Sequence, residues 1–285
     1  MSLIATHGSA PWRNPPDALA AFHREGQRRQ PMLWGFAVVL LALMAPTLAA
    51  YLIDARQLYG IDVWTKILKF EISLALFFGT IAWFWDALAV ERRSGRVLKA
   101  FAYAALGAAS LEMAYMIVQA GRGVASHFNE STPLEAALFP LMGLGALTIS
   151  SLSAAMAVAI ARNGRSDLAP AYRLAIVLGL ALSFVLGVGA GVVIARNGGH
   201  WVSAPHTDAG AFPVFGWTRS GGDLRVAHFF GLHAMQFLPI AGWFLARRDP
   251  RATWPVWLAA VALTTLTAFT LWQALNGMPF LAFVG

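Results

Sequence analysis

Two histidines five residues apart, His228 and His233 in the segment LRVAHFFGLHAMQ, are the side chains of this 285-residue sequence best suited to chemistry. Imidazole ligates metal ions and haem iron, relays protons near neutral pH and bonds to quinone oxygens. Five residues of helix turn about 500°, which leaves about 140° between the two side-chain directions. They cannot seat one ion from one helix face, so each needs partners from elsewhere. His127 in GRGVASHFNE is a third ligand of the same type. Glu71, Glu112, Gln119, Arg122 and Gln236 are the polar groups suited to surround a cofactor or to handle protons.

These residues must be positioned by helices in a bilayer. Hydrophobic residues make up 58% of the chain and charged ones 12%, with a mean hydropathy of +0.60. A soluble domain carries about twice that charge fraction. Seven windows, 32–53, 66–90, 97–120, 134–161, 170–195, 224–246 and 253–276, are long and apolar enough to cross about 30 Å of hydrocarbon. None shows the alternation of a barrel strand. The expected fold is all-α, a polytopic bundle of seven transmembrane helices.

The net charge of +7 does not indicate nucleic acid, because the basic residues sit at the ends of apolar windows rather than in a stripe. With the N-terminus inside, 14 of the 21 Lys and Arg fall on the inner side: in the arm (Arg13, Arg24, Arg28, Arg29) and in the segments 92–99, 162–173 and 247–251. That bias predicts N-inside, C-outside. The Ala- and Arg-rich composition suggests a bacterial inner (cytoplasmic) membrane. Zero cysteines exclude disulfides and thiolate metal sites.

Depth along each span then sorts the polar groups. In this orientation Glu71 lies about 7 Å, Glu112 about 12 Å, His228 about 6 Å, His233 about 13 Å and Gln236 about 18 Å below the external surface. Matched depths predict Glu112 paired with His233, and Glu71 with His228 or with Lys66 and Lys69. Gln119 and Arg122 share the Glu112 helix face. In the inner half, Asp86 has Arg92 and Arg93 within reach. His200, His206, Glu130, Asp208 and Asp223 add external candidates. Met113, Met116, Met142 and Met235 lie at similar depths, as core filler or as ligands for a soft ion.

The spans are joined by short loops, with two flanking exceptions. Residues 1–31 form a basic arm, in which 17–29 suit an amphipathic helix with Leu19 and Phe22 facing the membrane. Residues 196–223 form a long external loop whose Trp201, Phe212, Phe215 and Trp217 suit a packed lid. The tail, 277–285, is short. Gly179, Ser183, Gly187 and Gly191 make a stripe of small residues on the fifth span, facing Ala146, Ser150 and Ala154 of the fourth in a tight hairpin.

The last span lacks the lysine of a retinal protein, and His228 and His233 are one residue too far apart for the His-x3-His pair of the ceramidase-type hydrolases. The expectation is a redox membrane protein with an outward-facing site. Its cofactor would be haem b, a metal ion held by His127, His228 and His233, or a quinone, in that order. Leu224-x3-His228-x3-Leu232 fits a loose quinone-contact pattern. The alternatives are a small-solute transporter or sensor using the same pocket, and a structural subunit of a membrane complex. Expected partners are lipid, a small molecule from the external side, and further copies or other subunits.

Overall fold

The computed structural model describes residues 15–281. Arg13, the first part of the arm and the last four residues of the tail lie outside them. Helix α1 (Pro15–Arg29) leads into α2 (Pro31–Ile53), followed by α3 (Thr65–Phe84), α4 (Arg96–Arg122), α5 (Pro133–Asn163) and α6 (Pro170–Arg196). Then come α7 (Arg225–Leu232), α8 (Ala234–Arg248) and α9 (Trp254–Leu275). Six of these helices are long and apolar enough to cross a membrane, and α7 with α8, bent by 46°, makes a seventh if counted as one broken span.

Two small antiparallel ladders qualify the all-α expectation: β1 (Gln57–Leu58) with β2 (Ile61–Asp62), and β3 (Trp201–Val202) with β4 (Gly222–Asp223). The third helix stops at Phe84 rather than near residue 90 and gives way to 3₁₀ turns at 85–87 and 90–92. Arg93 holds these turns by donating to the carbonyls of Asp86 and Leu88.

Large apolar side chains cover the outer faces, among them Leu111 (75% exposed) and Val261 (60%). The core is built from Ala102, Ala105, Ala109, Phe78, Leu152 and Met156, all fully buried. Apolar outside as well as inside, the chain is a multi-pass membrane protein whose helices contact lipid. One end of the bundle carries β1–β2, the 123–132 turn and the long loop; the other carries α1 and the turns near 90, 165 and 250. At this second end Asp86 is buried and pairs with Arg93 (2.7 Å), Arg165 (3.0 Å) and Arg28 (3.6 Å). Arg92, the other partner expected for Asp86, makes no ion pair among the described residues.

The small-residue stripe of α6 does not face α5. A side chain at Gly179 would strike Ala234 O and Pro239, one at Gly187 would strike Leu232, and Gly191 lies against His228. The reason is the break at His233, between Gly231 and Pro239, which lacks an amide hydrogen. Gln236 N–H turns to His233 O at the break. Leu232 O then takes the Ser183 hydroxyl at 2.7 Å. Only small residues let the α6 backbone come close enough for that bond. Ala146, expected opposite the stripe, is exposed.

Residues 17–29 lie within helix α1, with Leu19 exposed. Gly26 lets α1 touch Trp34, and the Phe22 ring meets Trp34 edge-on (5.1 Å) and lies tilted against Trp83 (5.0 Å). Arg29 donates to Trp83 O at 2.9 Å.

Candidate functional site

The polar residues separate into four seats. His127 is held by Lys66, whose Nζ donates to His127 Nδ1 and Ser126 Oγ, each at 2.9 Å. Glu112 Oε1 is buried and has no hydrogen-bond partner among the described residues. That oxygen lies against Gly145, where an added Cβ would sit 2.4 Å from it.

Burial, reinforced by the Lys66 ammonium, pushes the His127 imidazole down to about 3. Below the unfolded value near 6.5, the unfolded chain takes a proton that the folded chain refuses. His127 therefore contributes fully above about pH 6.5, and its contribution is lost as pH falls toward 3. Between pH 7 and pH 5 the loss is about 2 kcal/mol. His127→Asn, which keeps an acceptor for Lys66, is expected to flatten thermal midpoints over that range; an unchanged slope would place the sensitivity elsewhere.

The second seat joins α4 to α5. Arg122 donates to Gln119 Oε1 (2.7 Å) and to Glu135 Oε1 (2.9 Å), while Ser131 donates to Glu135 Oε2 (2.5 Å). The Thr132 hydroxyl caps α5 by accepting from Glu135 N–H at 3.2 Å. Gln119 and Arg122 thus secure a helix start. The overlooked signal is Thr132-x-x-Glu135, a capping-box pattern.

The third seat folds the long loop into a lid. Arg225 donates to Asp208 (2.8 and 3.0 Å), Asp223 (2.7 Å) and Gly216 O (2.5 Å). His200 Nε2 lies 3.2 Å from Asp208 Oδ1. Burial alone would raise the Asp208 carboxyl, but its bonds to His200 and Arg225 hold it at about 2. Lys69 ties the lid to α3 by donating to Phe215 O at 3.0 Å. Among the described residues, His200, Asp208 and Asp223 form the one trio of His and acid ligands close enough to share an ion. The guanidinium already supplies the positive charge there.

His127, His228 and His233 do not converge. His228 donates from Nδ1 to Gly187 O at 2.9 Å. His233 takes Gln236 as its partner at 3.1 Å instead of Glu112. Glu71 meets Thr47 at 2.7 Å, not His228, Lys66 or Lys69.

The fourth seat is this His233–Gln236 pair. Thr80 donates to Leu76 O (2.7 Å), so its oxygen accepts from Gln236 Nε2 (2.9 Å). Gln236 Oε1 then accepts from His233 Nδ1–H, which fixes the neutral tautomer with its lone pair on Nε2. Gln236 and Thr80 lie in the wall of a groove of about 880 Å³ between α2, α3 and α8, lined also by Leu19, Phe22 and His23 of α1. Its other walls are apolar and aromatic, with Trp34, Trp83 and Trp243 among them. That volume lies in the range of small-molecule sites.

Fold and groove together define a multi-pass helical membrane protein with an apolar lateral cavity that carries a hydrogen-bonding amide. Comparison with family models, curated proteins and solved structures finds no match to this chain.

Proposed function

We propose that this is a seven-span, N-inside, C-outside protein of a bacterial inner membrane that binds a lipid-soluble carbonyl compound of the quinone class in the α2–α3–α8 groove. The carrying observation is the Gln236 amide in a wall that is otherwise mostly apolar and aromatic. Its Nε2 gives one hydrogen to Thr80 and keeps a second for a ligand carbonyl. His233 is a positioning residue, because it reaches the groove only through the Gln236 amide. The aromatic walls suit a flat ring, and the flanks of α2 and α8 suit an apolar tail. A bound quinone would supply two-electron, two-proton redox chemistry. The separate seats of His127, His228 and His233 favour this ligand over a shared metal ion or haem b, which reverses the order expected from residue types alone.

Orientation has its own test, since the chain has no native cysteine. Glu130→Cys, at the long-loop end, is expected to react with an impermeant maleimide on intact cells. Ser94→Cys, at the α1 end, is expected to react only after permeabilisation. The reverse pattern would invert the bundle. Groove binding is tested by photolabelling with an azido-quinone: label on α3 and α8 peptides supports it, and label spread evenly over the lipid-facing helices rejects it.

A further inference from the structure

The α3 wall of the groove runs through Gly79, Ala75 and Ile72. One turn beyond Ala75, the same helix face carries Glu71, which is fully buried. Its Oε1 lies 2.7 Å from Thr47 Oγ1, and Thr47 Oγ1 lies 3.0 Å from Leu43 O. Its Oε2 is buried with no hydrogen-bond partner among the described residues.

The hydrogens can be assigned one by one. A hydroxyl carries a single hydrogen, and a backbone carbonyl only accepts. The Leu43 contact therefore takes the Thr47 hydrogen, and the 2.7 Å contact needs a hydrogen from the carboxyl. We infer that Glu71 is a neutral carboxylic acid, a proton-binding site inside the bundle at the end of the groove. An ionised Glu71 would leave one contact without a hydrogen and a charge in apolar surroundings. Among the described residues it makes no ion pair. The cations nearest in sequence or at the same end are engaged elsewhere: Lys66 with Ser126 and His127, Lys69 with Phe215 O, Arg56 with Asp54, and Arg122 with Glu135. Glu112 on α4 brings no positive charge. The site goes beyond the quinone reading and stands whether or not the groove takes a quinone.

Infrared spectroscopy of the full chain in lipid tests the protonation directly, and dicyclohexylcarbodiimide tests access from the groove. At neutral pH the carbonyl-stretch band of a protonated carboxyl is expected to be present, lost in Glu71→Gln and kept in Glu112→Gln. Thr47→Val leaves the carboxyl in place without its acceptor and is expected to shift the band to higher frequency. This second variant reads the same group should Glu71→Gln fail to fold. The carbodiimide takes the carboxyl proton on one nitrogen and the carboxylate oxygen on its carbon, then rearranges to a stable N-acylurea. A mass gain of one reagent molecule on the Glu71 peptide is expected. A spectrum in which neither variant changes the band overturns the inference. A Glu71 band without an adduct overturns its placement at the groove end.

Discussion

Arg225→Ala is expected to release the long loop and to destabilise the protein by about 3–5 kcal/mol, the cost of leaving a buried charge without its partner. Asp208 is 6% exposed and Asp223 1%, and one guanidinium bonds to both. Asp223 also accepts from Thr218 N–H at 2.9 Å, so loss of the arginine disturbs the β3–β4 end of the lid as well. Limited proteolysis reads the release at the lid tip, where Val214 is 85% exposed. Arg225→Lys keeps the charge but not the fork and is expected to recover only part of the loss. Without the guanidinium, His200, Asp208 and Asp223 become a vacant trio of ligand atoms within 4.8 Å of one another. Zinc is therefore expected to raise the thermal midpoint of Arg225→Ala and to leave the wild type unchanged. A variant that melts and resists protease like the wild type would remove the lid lock from the account.

The second large effect concerns the broken span. A Cβ at Gly231 would lie 2.8 Å from Gly187 N and from Leu186 C, both backbone atoms that no rotamer change can move. Gly231→Ala is expected to push α7 away from α6 and to cost about 1–3 kcal/mol through overpacking. The same displacement lengthens the Ser183–Leu232 and His228–Gly187 bonds, each worth about 1 kcal/mol. Gly189→Ala is the control, since nothing lies within 4 Å of its new methyl. It is expected to melt within about 0.5 kcal/mol of the wild type, as a substitution in open space should. Equal melting of the two variants would mean that α6 and α7 are not in close contact.

The spans were legible because hydropathy sums over some twenty residues and tolerates local error. Five helices, and α7 with α8 taken together, start and end within a few residues of the windows read from sequence; the third helix does not. Helix faces were not legible, because rotation about each axis is set by packing between segments distant in sequence. The small-residue stripe was readable as a close contact, but its partner was not: nothing in the sequence of α5 says that the break at His233 needs it more. His233 and Gln236 are three residues apart and their pairing was available from spacing alone. Depth along the spans points instead to Glu112 on another helix. The groove left no signature, since Leu41, Gly79 and Ile240 are unremarkable in their own helices and meet only in space. Glu135 and Arg225 were readable in principle, the first from its capping box and the second from Asp223 two residues before it.

Gln236 is proposed to receive a ligand carbonyl inside the groove, and three tryptophans in its walls report on that binding. A short-tailed quinone titrated into the protein in nanodiscs is expected to quench their fluorescence saturably. Gln236→Leu is expected to weaken binding roughly tenfold, one charge-neutral hydrogen bond left unmade in an apolar site. Thr80→Ala, which only frees the amide, is expected to weaken it less. Linear, unsaturable quenching, or saturation at the same quinone concentration in Gln236→Leu, would contradict the claim.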